Sequence, residues 1–489
     1  LPIVALLAFL ACGGSSTAEA QDIRFQRLPI GDRAVGMGGA YTGVAEDLSA
    51  TWYNPGGLAL QGNAAVSGAI FLRLYDRQSI RGGYGFGDQT TDLSAEGTLA
   101  TPFFIGGMSK VGDEDDPADR RHAIAGTGIG PSLPTRRFDA FIEPEAGIGA
   151  AFNTVTQESR ELYGPSYAYR VSENFGVGVS AYVSVTNSKY DESEFVGIYG
   201  SENPDGSLAE ANLGARISGG RAEVFSFLFR LGAFWRVDDD LSLGLMVQLP
   251  NIPFVRNGEV FEYAAAVTSE GTGRFVGSQQ DTDPSLPEPL EIRLGAAYRP
   301  RENWRLAFDF SFYGPLGSKD NPVSLFGDVA VDPVTGTAPD PGRYFADSYY
   351  TRPWFNFALG METVVADIMP VSFGVYTDLS PAPFIDGPSD TLTQPHIDSV
   401  GLTGVVGVRT GGLNVAVGVA VVLGWGSMLT ASRAGAALAY VPRAIDEQAV
   451  YIFFTGYMSA AEEIAQQVES AQLAEAEVAA REAERQRHQ

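Results

Sequence analysis

The feature that most constrains this chain is a strict two-residue alternation in which one side of each segment is apolar and carries no charge. In 177–185, Val177, Val179, Ala181, Val183 and Val185 share one face; Gly178, Ser180, Tyr182 and Ser184 share the other. Segment 225–235 sets Phe225, Phe227, Phe229, Leu231, Ala233 and Trp235 opposite Ser226, Arg230 and Gly232. Segment 304–312 sets Trp304, Leu306, Phe308, Phe310 and Phe312 opposite Arg305, Ala307, Asp309 and Ser311, and a fourth apolar face runs from Leu413 through Val415, Val417, Val419 and Val421 to Leu423. Successive side chains of a strand point to opposite sides, so these are strands with two unlike faces. A soluble sandwich alternates too, but its outer face carries Lys, Glu and Thr, whereas the polar face here is Gly, Ser and scattered Arg and suits a lumen. Trp235, Tyr298, Trp304 and Phe312 fall near segment ends, where a membrane barrel carries its aromatic girdles.

Connection lengths point the same way. Short turns at 110–119, 172–174, 238–240, 300–303, 364–370 and 410–412 alternate with long polar connections at 76–96, 131–160, 188–222, 251–289, 314–353, 379–399 and 425–446. Tight turns on one side and long loops on the other are the rule for outer-membrane barrels. Between them lie fourteen expected strands: 63–75, 97–109, 120–130, 161–171, 175–187, 223–236, 241–250, 290–299, 304–313, 354–363, 371–378, 400–409, 413–424 and 447–457. The expected fold is all-β, a 14-stranded antiparallel transmembrane barrel, and no internal apolar run approaches the roughly 20 residues of a spanning helix.

Composition excludes several functions. The 489 residues carry 33 basic and 59 acidic side chains, so the formal charge is 33 − 59 = −26. Nucleic-acid binding needs clustered cations, and the only lysines are Lys110, Lys189 and Lys319. One cysteine, Cys12, and three separated histidines, His122, His396 and His488, leave little for a metal site, a cofactor or a His-based active site. No nucleophile elbow, Walker loop or zinc-protease helix occurs, so the chain is read as a non-enzyme. The acidic run Asp113, Glu114, Asp115, Asp116 and Asp119 fits no calcium-loop spacing and reads as a solvated turn.

Residues 1–20 read as a signal peptide, an apolar stretch followed by an Ala18-Glu19-Ala20 cleavage site; a lipobox ending at Cys12 is the alternative. Residues 21–62 precede the first strand, 63–458 form the barrel, and 459–489 read as a helix opened by a Ser459/Glu462 capping box. That tail is expected to be a solvated periplasmic helix or a docking point for a periplasmic protein.

Residues 31–60, GDRAVGMGGAYTGVAEDLSATWYNPGGLAL, resemble the N-terminal signature of the FadL-type outer-membrane transporters of long-chain fatty acids and other hydrophobic compounds. The resemblance rests on Arg33, Gly36, Met37, Gly38, Gly39, Ala40, Ala45, Glu46, Asp47, Ala50, Asn54, Pro55, Gly57, Leu58 and Ala59. It implies a hatch inside the lumen, with Gly38, Gly39, Asn54, Pro55 and Gly56 as its gating elements. Gly56 stands where the family has alanine, a change expected to loosen the turn. It also implies passive uptake of a hydrophobic small molecule such as a long-chain fatty acid, held in an apolar pocket and released sideways through a kinked third strand. Gly126, Gly128, Gly130 and Pro131 sit where that kink would lie, though an ordinary strand end reads equally well there. Lumen-facing Arg230, Arg293 and Arg305 are candidates for the ligand carboxylate, against the commoner reading that such charges pair with one another. The expected surroundings are outer-membrane lipid and lipopolysaccharide; the rival function is a non-transporting barrel that docks other proteins.

Overall fold

The computed structural model describes residues 28–62, 64–86, 89–97, 102–112, 120–131, 135–145, 148–199, 211–268, 271–301, 303–327, 348–389, 393–410, 412–434 and 437–459. The expected signal peptide with Cys12, the acidic run 113–119 and the helical tail beyond Ser459 lie outside the described residues.

Fourteen strands form one closed antiparallel ring: β1 Ala64–Phe86, β2 Phe103–Val111, β3 His122–Gly130, β4 Ile148–Ser172, β5 Phe175–Tyr199, β6 Ala211–Arg236, β7 Leu241–Gln248, β8 Glu291–Arg301, β9 Trp304–Tyr313, β10 Trp354–Val365, β11 Met369–Asp378, β12 His396–Thr410, β13 Leu413–Ala434 and β14 Ala437–Ser459. Each pairs with its neighbour in chain order. The ring closes where β14 pairs with β1, from Ala65↔Ser459 to Ile80↔Ile445. Each expected strand corresponds to one strand of the ring.

The expected long connections need correction, because much of their length is strand. β4, β5 and β6 run for 25, 25 and 26 residues. Strands Gln89–Glu96 and Arg136–Glu145 and the ribbon Ile252–Thr268/Gly271–Thr282 extend the wall further on the same side. The apolar face marks only the stretch of a strand that meets lipid. Above it the backbone ladder continues with polar side chains, and a hydrophobicity pattern stops too early.

Every one of the fourteen strands exposes at least one large apolar side chain outward, among them Ile105, Ile124, Leu231, Leu294, Phe373, Val406, Val417 and Phe454. Trp235, Tyr298 and Trp304 are exposed at the short-turn rim. Inside the ring lies 28–62, nearly all of it buried. It holds two single-turn helices, α1 Arg33–Gly36 and α2 Ala50–Tyr53, and a 3₁₀ turn Pro55–Leu60. Segments this short have no stability alone; the wall holds them.

An arginine in place of Val417, in the middle of its lipid face, is expected to cost about 2–4 kcal/mol of refolding stability, against about 0–1 for Leu413→Arg at the rim. Urea titration of the barrel in lipid vesicles measures both.

Candidate functional site

The hatch seats backbone against backbone. Wall glycines on six strands lie where a Cβ would collide with it: at Gly176 the Cβ would stand 2.5 Å from the Gly56 carbonyl oxygen, at Gly178 2.5 Å from that of Pro55, at Gly232 2.7 Å from the Pro55 nitrogen, at Gly295 2.5 Å from the Gly43 nitrogen and at Gly360 2.7 Å from the Met37 carbonyl oxygen. Gly244 and Gly374 meet Thr42 and Gly38 more closely still. The small faces of β5 to β11 are therefore a track cut to the hatch.

Polar groups fix the hatch along this track. Asp309 accepts hydrogen bonds from the Tyr41 and Thr42 amides and from the Thr42 hydroxyl, the last at 2.6 Å. Ser180 and Tyr182 both donate to the Thr51 carbonyl, at 2.7 and 2.9 Å, and Ser242 donates to that of Gly43 at 2.6 Å. Asn54 is extended, accepts from the Gly56 amide and donates to the carbonyls of Thr42 and of Ala233 in the wall. Pro55 follows at the first position of the 3₁₀ turn, where its missing N–H costs nothing. Gly38 and Gly39 take φ of +63° and +80°, a left-handed bend that only glycine adopts without strain. The five expected gating residues thus all belong to the hatch, Gly38 seated against β11 and Asn54, Pro55 and Gly56 against β5 and β6. A Cβ on Gly56 would stand 2.8 and 2.9 Å from the carbonyl oxygens of Gly176 and Gly232. Its glycine is a steric fit, which corrects the expectation of a loosened turn.

The three candidate arginines face the lumen, and each is engaged. Arg230 donates to the Trp52 carbonyl at 2.6 Å, to Gln248 at 2.6 Å and to Glu291 at 3.0 Å, and its guanidinium lies 3.3 Å from the centre of the Trp52 indole. Arg293 pairs with Glu291 at 2.6 Å and faces the Tyr53 ring. Arg305 pairs with Glu46 at 2.8 Å. On the short-turn side, Arg33 forms a two-point pair with Glu362, and Arg299 joins Glu46 at 3.2 Å. These charges border a cavity of about 260 Å³ under the hatch. Burial would raise the Glu46 pKa, but Arg305, Arg33 and Arg299 together outweigh it and hold the carboxyl below its ordinary value.

Asp32 has the opposite balance. Burial, then the nearby Asp47 carboxylate, push it up to about 7, and burial raises Asp47 as well. Ser67 on β1 donates to Asp32, and Ser49 donates to Asp47 through its amide.

The third strand, β3, carries an unbroken ladder on both sides through Gly126 and Gly128 and ends at Gly130, with Pro131 just beyond. On that side of β4, among the described residues, pairing runs up to Leu162 with β3 and resumes at Thr156 with Arg136–Glu145. Among the same residues one ladder pair, Ala95↔Phe138, joins Gln89–Glu96 to Arg136–Glu145.

Sequence reasoning found the arginines, the lumen-facing Asp309 and the hatch glycines but missed the anchors Ser180, Tyr182 and Ser242 and the wall glycines. The signal was present in the small, wet faces of the alternating segments.

No family model and no curated protein matches the chain. Solved structures do. The P. putida toluene transporter TodX is 12% identical with a TM-score of 0.57 over 89% of this chain and 99% of its own. A Pseudomonas aeruginosa FadL homologue is 12% identical with a TM-score of 0.54, over 91% and 99%. The Ralstonia pickettii toluene transporter TbuX is 12% identical with a TM-score of 0.51, over 89% and 99%. At such identities the likeness is one of fold.

Two outcomes test the seat. Arg230→Met breaks a buried pair, at a cost of about 3 kcal/mol, and hydrogen exchange of the 50–57 amides should quicken roughly a hundredfold. The second outcome concerns pH. An unseated hatch exposes Asp32 at its ordinary 3.8, whereas the seated one holds it near 7. Seating is therefore tightest below about pH 4, weakens as pH rises towards 7 and is level above that. Asp32→Asn should flatten this dependence in the same exchange measurement.

Proposed function

We propose that the protein is an outer-membrane channel for passive uptake of hydrophobic compounds, with 28–62 as a plug beneath the binding region and a neutral hydrocarbon as the favoured cargo. The observation that carries this reading is the chemistry of the lumen above the hatch. Ile80, Tyr84, Phe152, Met428, Tyr440 and Ile445 belong to one buried apolar cluster there. A water-filled pore has a polar interior; this apolar patch, beside the buried pairs of Arg136 with Asp76 and Glu447, favours ligands that gain about 25 cal/mol for each Å² they bury. Toluene transporters among the similar folds support the same class.

A long-chain fatty acid is the weaker candidate. Its carboxylate would need an arginine, and Arg230, Arg293 and Arg305 are already paired with Glu291 or Glu46. Displacing a partner leaves a buried carboxylate unpaired, which costs 3–5 kcal/mol. The expected exit through the third strand is better placed just above it, at the seam held by Ala95 and Phe138. There, among the described residues, the ladder of β4 on the side facing β3 stops at Leu162 and resumes at Thr156.

Proteoliposomes test both parts. Toluene entry should exceed the protein-free rate at least tenfold, with a long-chain fatty acid near background. An Ala95→Cys/Phe138→Cys disulfide should lower toluene entry at least fivefold, and a reductant should restore it. Entry unaffected by the cross-link would place the exit elsewhere, and fatty-acid entry as fast as that of toluene would sink the neutral-cargo reading.

A further inference from the structure

The outward face of β4, β5, β6 and the ribbon Ile252–Thr268 changes character at one level. On β6 the apolar series runs from Trp235 up to Phe225, ten residues that rise about 24 Å at the usual strand tilt, the height of a lipid-facing band. At its top, Val185, Phe225 and Val255 stand side by side in the ladder. The next rung outward on the same face is Ser159–Asn187–Glu223–Asn257, each residue the direct cross-strand partner of the next. The one above it is Gln157–Lys189–Arg221–Glu259–Gln280. These two polar rungs sit about 5 and 10 Å above the apolar band. They line an outward groove of about 700 Å³.

The groove's charges are settled within the protein. Lys189 pairs with Asp191 at 2.5 Å and Arg221 with Glu259 at 2.5 Å. Glu223 accepts from Asn257 at 3.1 Å, and Asn187 donates to Ser159 at 3.3 Å. The lining holds two cations, Lys189 and Arg221, against three carboxylates, Glu223, Glu259 and Asp281. A phosphate-headed lipid would bring its charge to a site with no surplus cation. The remaining hydrogen-bonding capacity is amide: Gln157 and Gln280, whose side chains bond nothing among the described residues, and the carbonyl oxygens of Asn187 and Asn257. Amides that both donate and accept, in a wide groove, match the hydroxyl array of a sugar.

We propose that this groove binds the sugar headgroup of an outer-leaflet glycolipid, whose acyl chains then lie along Val185, Phe225 and Val255 below. The height supplies the second constraint, since a lipid with its chains on the apolar band has its headgroup at these rungs and nowhere else on this face. The proposal rests on the barrel standing in a membrane and not on what passes through its lumen.

The test is native mass spectrometry of the full-length purified protein, given an uncharged glycolipid (a diglycosyl diacylglycerol) or phosphatidylglycerol at equal mole fraction. The glycolipid should be retained at least tenfold over phosphatidylglycerol. Asn187→Leu with Asn257→Leu should bring its retention down to that of phosphatidylglycerol, with phosphatidylglycerol retention itself unchanged. Equal retention of the two lipids by the unaltered protein, or an unchanged preference in the variant, overturns the proposal. Should the double leucine variant fail to fold, as judged by its thermal melt, Gln157→Ala with Gln280→Ala serves as the second variant. The same tenfold preference must then fall at least threefold; if it does not, the groove is not the site. Toluene entry in the Asn187→Leu/Asn257→Leu variant should match that of the unaltered protein, which separates this site from the channel.

Discussion

Backbone pairing in a medium without water is the constraint on which this structure depends. An amide left open to hydrocarbon costs several kcal/mol, so a sheet that crosses lipid must close on itself. Here closure is the long ladder between β14 and β1. It fixes an even strand number, puts the apolar set of each strand outside, and encloses a lumen that must be filled with side chains, water or a folded segment. The chain fills it with 28–62. The wall is then required to be smooth where that segment lies, and this is why glycine recurs on the inner faces of β5 to β11.

A glycine track gives contact but little direction, because backbone packed on backbone slides. Direction comes from the buried charges. Asp309 holds the turn at Tyr41 and Thr42, Arg230 and Arg293 flank α2 through Trp52 and Tyr53, and Arg33 and Glu46 reach Glu362 and Arg305 on the far side. Buried ion pairs add little net stability over an apolar alternative, but removing one partner is costly. That combination specifies one seated position and resists partial displacement. Asp32 and Asp47 are the exception, two carboxylates held close in the interior, and they make the seat tighter in acid than at neutrality.

The membrane-crossing part of the fold was legible in the sequence because lipid imposes a period of two with no charge on one side. Trp304, Leu306 and Phe308 could hardly alternate with Arg305, Ala307 and Asp309 for another reason. The wall above the membrane was not legible, because Asn187, Lys189 and Asp191 on β5 meet water on a strand as they would in a loop. The hatch was legible through its Gly-Met-Gly-Gly-Ala and Asn-Pro elements, and the lumen arginines through their place on the small faces. What escaped was pairing across distance. That Arg305 belongs to Glu46, or that Gly232 exists to admit Pro55, follows from a closed ring and from no local pattern.

The same charges bear on the route of a ligand. A neutral hydrocarbon has no group with which to replace Glu46 at Arg305 or Glu291 at Arg230, so it gains nothing by unseating the hatch. Its favourable contacts are with the apolar cluster above, around Tyr84, Phe152 and Tyr440. Moving down would exchange that environment for the charged cavity beneath Arg33 and Arg299, which an apolar solute enters at a loss. Moving sideways leads out above the apolar band, across a wall in which one ladder pair among the described residues joins Gln89–Glu96 to Arg136–Glu145. The proposed lateral exit therefore requires neither a moving hatch nor an energy source. It requires that the strands flanking Ala95 and Phe138 part by the width of one ring, and among the described residues one ladder pair joins them there.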